Sequence, residues 1–79
     1  MKELVEAIVK AMVDRPEEVE VTEVMGQQCC IIEVKVARRD IGMIIGKRGA
    51  HAQAIRTIIT AAGGKLKKRY MLEIVEPAD

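Results

Sequence analysis

At 79 residues the chain has room for one domain, residues 1–79, and a domain this small buries only about 60% of the surface its unfolded chain exposes, so one core and one site are expected. Its composition is 49% hydrophobic with Tyr70 as the sole aromatic residue, which excludes a binding surface built on stacked rings. The formal net charge of +1 hides an uneven distribution: residues 1–37 carry four basic and eight acidic side chains, residues 38–69 carry nine basic side chains against Asp40 alone, and residues 70–79 carry three acidic ones. A polyanion would be met by the middle of the chain.

Leu4, Val5, Ile8, Val9 and Met12 recur at helical spacing, with Lys2, Glu3, Glu6 and Lys10 on the other side. The spacing predicts an amphipathic helix from Lys2 to about Val13. Asp14-Arg15-Pro16 stops it, since proline cannot continue the ladder and biases Arg15 towards extended backbone. Val19 to Met25 reads as a strand, Gly26-Gln27-Gln28 as a tight turn, and Cys29 to Ala37 as a second strand with Cys30, Ile32, Val34 and Val36 on its core face. Asp40 is placed to cap a short helix running through Ile45. After Gly46-Lys47-Arg48-Gly49 a third helix is expected from Ala50 to about Ala62, with Ile55, Ile58, Ile59 and Ala62 as its buried stripe and Gly63-Gly64 as its end. Lys65 to Arg69 then reads as a basic connection, and Tyr70 to Val75 as a third strand. The fold class is α+β, in the order α-β-β-α-α-β, with a three-stranded mixed sheet covered on one face by three helices. The other face carries Cys29, Ile31, Met71 and Val75 as an apolar strip that a second subunit could cover.

Several chemistries find no support. Cys29 and Cys30 are adjacent in a strand, so their side chains point to opposite faces, and neither a metal site nor a disulfide scaffold is expected. No cofactor is implied. Charges throughout residues 1–13 argue against a signal peptide, and no apolar run is long enough for a membrane span, which fits a cytoplasmic protein with no membrane partner. His51, the single histidine, has no nucleophile or metal ligand beside it and reads as an ordinary surface residue, so no enzyme is expected.

The informative constellation is two helices joined by a loop that begins and ends with glycine and holds two cations. Gly46 and Gly49 lack a β-carbon, which opens backbone conformations closed to other residues and lets a phosphate chain approach closely. Gly49 leads into the third helix, whose first amides and positive dipole end attract an anion. Lys47 and Arg48 add formal charge at the tip. A groove beside the loop, lined by Ile41, Ile44 and Ile45 and by the start of the third helix, could receive unstacked bases, and Arg56 fits either the groove side or a surface salt bridge. With no aromatic platform, aliphatic packing and hydrogen bonds would have to hold them.

Ile44-Ile45-Gly46-Lys47-Arg48-Gly49 resembles the I-G-x-x-G signature of KH domains, whose glycine loop clamps four nucleotides. The element order resembles their type II arrangement. Over almost the whole chain, including Arg15-Pro16-Glu17-Glu18-Val19 and Ala54-Ile55-Arg56-Thr57, the sequence is similar to the small bacterial single-KH proteins of the KhpA type. The resemblance implies a cytoplasmic protein that binds single-stranded RNA through Gly46, Lys47, Arg48 and Gly49, with Ile44, Ile45 and Ala52 at the groove. It further implies an RNA chaperone or post-transcriptional regulator acting as a homodimer, or as a heterodimer with a larger KH-containing Jag-type protein.

Two other functions fit parts of the sequence. A helix-turn-helix DNA binder also places two helices around a glycine turn, but Ala50, Ala52, Ala54 and Ala61 would offer few hydrogen bonds to base edges. A protein-interaction or dimerisation module would use the apolar sheet face and ignore the loop charge. The short Gly26-Gln27-Gln28 turn is expected to leave the groove's far side poorly walled.

Overall fold

The computed structural model describes residues 1–77, so residues 78 and 79 of the expected domain lie outside the described residues. The chain forms α1 (Lys2–Met12), β1 (Glu20–Met25), β2 (Cys29–Lys35), α2 (Ile41–Ile45), α3 (Ala50–Leu66) and β3 (Arg69–Val75), with 3₁₀ turns at Pro16–Glu18, Arg38–Asp40 and Lys47–Gly49. This is the expected α+β order. The boundaries of the early elements differ from expectation by one or two residues, as frayed ends usually do.

Strand β2 lies in the middle of the sheet, antiparallel to β1 and parallel to β3, which leaves β3 at an edge. Alternation decides the faces. Val21, Val34 and Ile74 share one row of the inner face, Ile32 and Leu72 another, and Cys30 and Tyr70 a third. Against that face pack Val5 and Val9 of α1, Ile44 of α2, and Ile55 and Ile59 of α3. Ile32, Ile44, Ile59, Val5 and Val9 are all fully buried, each contributing about 1.5–3 kcal/mol of burial free energy. Leu4 falls at the margin of the α1 stripe and is 41% exposed.

The end of α3 departs from the sequence reading. The helix runs through Gly63 and Gly64 to Leu66, and Ile58 is exposed while Ala52, Ile55, Ile59 and Gly63 form the buried stripe. Gly63 is glycine for proximity: a β-carbon there would stand 2.7 Å from the Lys68 carbonyl oxygen and 2.7 Å from Cδ2 of the Tyr70 ring. Lys67 ends the helix instead, in the left-handed conformation at φ 59°. The Lys67 amide donates to the Gly64 carbonyl at 3.2 Å and the Lys68 amide to the Gly63 carbonyl at 2.9 Å, the paired bonds of a Schellman ending. The expected five-residue basic connection is therefore only Lys67 and Lys68, with Lys65 in the helix and Arg69 in the strand.

Asp40 also has a different task. No side-chain bond caps α2. The carboxylate is buried and accepts the Asp14 amide at 3.4 Å and the Arg15 amide at 3.2 Å, one on each oxygen, tying the exit of α1 to the start of α2. Arg38 reaches the C-terminal segment, its guanidinium donating to the Pro77 carbonyl at 3.2 Å.

Candidate nucleic-acid interface

The glycine loop is fixed by backbone geometry. Gly46 ends α2 at φ 75° and ψ 173°, a region essentially reserved for glycine. Its amide donates to Gly42 at 2.8 Å, and the Gly49 amide donates back to the Gly46 carbonyl at 3.1 Å. Arg48 and Gly49 both take left-handed conformations, at φ 57° and 76°, turning the chain so that Lys47 and Arg48 stand exposed at the tip. Three ion pairs occur among the described residues, and all lie between residues 1 and 18. None neutralises Lys47 or Arg48. Asp40, the single acid of the basic segment, is occupied by the two loop amides described above.

His51 holds the loop from behind. Its Nδ1 lies 2.7 Å from the Met43 carbonyl oxygen, and since a carbonyl only accepts, Nδ1 carries the proton and donates. The ring crosses from the first turn of α3 to the last turn of α2, and its Cγ would be 2.5 Å from a β-carbon on Gly46. The sequence reading of His51 as a plain surface residue missed this buttress. A polar ring five residues beyond a loop glycine was the only available signal.

Beside the loop lies a cleft of about 490 Å³. Ile45, Gly49, Ala52 and Arg56 form its helix side, while Leu72, Glu73 and Ile74 of β3 form its sheet side, with Ile31 and Met71 reaching in from the outer face. Of the residues expected at the site, the structure brings together Ile45, Gly49, Ala52 and Arg56 around the cleft, and Gly46, Lys47 and Arg48 form the turn that runs from Ile45 to Gly49. Ile44 is a correction: it is 0% exposed and belongs to the core. Ile41 likewise packs against that core. The far wall is strand β3 rather than the Gly26-Gln27-Gln28 turn, and the β3 residues were not foreseen as lining.

The cleft is electrically two-sided. Lys47, Arg48, Arg56 and the positive end of α3 lie on the helix side, whereas the sheet side is apolar apart from Glu73. A strand whose phosphates follow the helix side and whose bases face β3 matches both charge and polarity.

A model of the family described as KhpA/KhpB, KH domain, matches residues 2–74. The chain is similar to the RNA-binding protein KhpA of Caldanaerobacter subterraneus subsp. tengcongensis, 56% identical over 75 residues that cover 95% of this chain and all of that protein. It is 53% identical over 75 residues to the RNA-binding protein KhpA of Clostridium acetobutylicum, with the same coverage. It is 45% identical over 76 residues to that of Aquifex aeolicus, covering 96% of both chains. The chain belongs to the KhpA/KhpB family of KH domains. No solved structure matches it. These KhpA relatives are named for RNA binding and none of them for a reaction.

Burial, then the neighbouring Cys30 and Glu23, push the Tyr70 hydroxyl above its ordinary value of 10.0. Tyr70 stands on the inner face over Gly63. No metal-ligating cluster occurs among the described residues, and none of the helices among them is long and apolar enough to cross a membrane.

Proposed function

We propose that this chain, as one KH domain over residues 1–79, binds single-stranded RNA in the cytoplasm, with Gly46, Lys47, Arg48 and Gly49 gripping the sugar-phosphate backbone. The observation that carries the reading is the loop itself: two exposed cations with no ion-pair partner among the described residues, held by positive-φ backbone at the N-terminus of a 17-residue helix and opening onto an apolar cleft. Ile45, Ala52 and Arg56 contact the nucleotides that follow the clamp. Ile44 contributes only by filling the core beneath them. The names of the KhpA relatives support RNA as the ligand. Chaperoning or post-transcriptional regulation is the cellular role proposed with it.

The paired names in the family's description support a partner of the same family, either a second copy or a larger KH-containing Jag-type protein. The exposed side chains of Val24 and Met71 on the outer sheet face, in one row with Ile31, offer apolar surface for either.

Fluorescence anisotropy of a short single-stranded RNA tests the clamp. Wild type should bind with a salt slope of about −0.7 per phosphate contacted, and Lys47→Asp/Arg48→Asp should lose nearly all binding while keeping its circular dichroism spectrum. Unchanged affinity in the double variant would sink the assignment.

A further inference from the structure

The cleft beside the glycine loop does not stop at Arg56. A second hollow shares Arg56, Met71 and Leu72 with it and adds Thr60 and Tyr70. A third shares Thr60, Tyr70 and Met71 with the second and ends at Gly64, Lys68 and Arg69. Past those cations a fourth is bounded by Lys67 and by Gln27 and Gln28 of the β1–β2 turn. Each of the four shares lining residues with the next, and each is lined by residues of both α3 and β3.

The helix side of that seam is a single stripe. Ala52, Arg56, Thr60 and Gly64 recur every four residues, one above the other on the same face. Ala52, Thr60 and Gly64 are small, Arg56 is the one long side chain of the stripe, and a β-carbon on Gly64 would meet nothing within 4 Å. The 17 residues of α3 span about 25 Å. At the ~3.4 Å per nucleotide of a stacked strand that length takes about seven nucleotides, fewer if the bases splay.

Both ends of the furrow are cationic. At the far end Lys67, Lys68 and Arg69 are exposed and take part in none of the ion pairs among the described residues. A helix C-terminus ordinarily repels anions. Here the Gly63 and Gly64 carbonyls already accept the Lys68 and Lys67 amides, so the cations set the local field. Lys65 does not line the furrow.

We propose that the α3–β3 furrow is one track for a single RNA strand, and that Lys67, Lys68 and Arg69 form a second phosphate-binding site at its far end. The proposal rests on the reading of the glycine loop as an RNA clamp and adds to it a polarity and an extent. The strand enters at Gly46–Gly49, passes Arg56 and Thr60, and leaves over the end of α3. A tetranucleotide fills the loop end alone. A longer strand engages both.

The test is anisotropy with a labelled uridine tetranucleotide and nonanucleotide at two salt concentrations, on wild type, Lys68→Glu/Arg69→Glu and Lys47→Asp/Arg48→Asp. The far-end variant should bind the tetranucleotide as wild type does, yet lose the extra affinity of the nonanucleotide, whose salt slope should fall in magnitude by about 1.4 for two phosphates released. The loop variant should lose both ligands. If the far-end variant leaves the nonanucleotide's affinity and slope unchanged while the loop variant abolishes binding, the second site is wrong and the clamp stands. Equal weakening of both lengths by the far-end variant means diffuse attraction and also overturns a discrete site. A loop variant that binds both lengths normally removes the clamp and the track together. Lys68→Gln/Arg69→Gln, which removes charge without adding any, repeats the comparison should the reversal disturb the fold.

Discussion

Replacing Gly46 by alanine asks the loop to hold a methyl group in two impossible circumstances at once. The backbone at φ 75° and ψ 173° lies in a region that costs a side chain about 1–3 kcal/mol. The new carbon would also stand 2.5 Å from Cγ, 2.8 Å from Cβ and 2.8 Å from the backbone nitrogen of His51, and overpacking of this kind adds roughly 1–3 kcal/mol. The nitrogen opens α3 and cannot swing away as a side-chain tip can. Gly46→Ala should therefore cost about 2–6 kcal/mol, a large part of the total stability of a domain for which ~5–10 kcal/mol is typical. Gly49 is the internal control. It too has positive φ, at 76°, but a β-carbon there meets nothing within 4 Å, so Gly49→Ala should cost only about 1–2 kcal/mol. Urea denaturation followed by far-ultraviolet circular dichroism measures both, and RNA anisotropy should show Gly46→Ala losing the clamp under conditions where it remains folded. Adding His51→Ala should return part of the loss, because the 2.5 Å contact disappears while the backbone contact stays. Costs for Gly46→Ala and Gly49→Ala that agree within about 0.5 kcal/mol would refute the reasoning.

Three further outcomes follow from the packing. Gly63→Ala should destabilise by about 1–3 kcal/mol through its clash with Lys68 and Tyr70, whereas Gly64→Ala, one residue on and open to solvent, should stabilise by about 0.5–1 kcal/mol through helix propensity; thermal melts that rank them the other way would contradict the path of α3. Asp40→Asn keeps the shape but leaves one acceptor oxygen for two amides, so a loss of about 1–3 kcal/mol in urea titration is expected. Since the Tyr70 hydroxyl titrates above 10.0 in the folded protein, the folded state keeps its proton at a pH where the unfolded chain releases it. Its contribution to stability is intact below about pH 10 and is lost as the pH rises through the folded value. Ultraviolet titration of this sole tyrosine should show a midpoint above the ordinary value that returns to it in denaturant.

The elements legible in the sequence were those with a long enough repeat to fix a phase. The alternation over Cys29–Lys35 placed Cys30, Ile32 and Val34 on the core face correctly, and eleven residues of α1 were enough to locate Val5 and Val9. Helix α2 has only five residues, less than two turns, so nothing in the sequence could decide that Ile44 faces the core and Ile45 the cleft. The two glycines near the end of α3 carried a misleading signal, because glycine looks the same in a sequence whether it terminates a helix or admits a neighbour. Only the approach of Tyr70 distinguishes the cases. Asp40 looked like a cap since capping is local, whereas its true partners lie twenty-five and twenty-six residues away. The glycine loop was legible because its requirement is local and chemical. The β3 wall was not, because a strand's neighbours are set by topology.

The parallel pairing of β3 with β2 joins Cys29 to Arg69 and Lys35 to Val75, residues separated by forty positions. Both helices must be in place as the crossover before that pairing can close, and contacts so distant in sequence form slowly. One wall of the RNA furrow is thus assembled from the most non-local part of the chain. A nascent chain that has made α1 and the β1–β2 hairpin has no furrow at all, and one that has also made the glycine loop has only half of it. On the proposed track, occupancy and complete folding become one equilibrium: RNA spanning the seam would bind only the finished domain and raise its unfolding midpoint with RNA concentration and affinity.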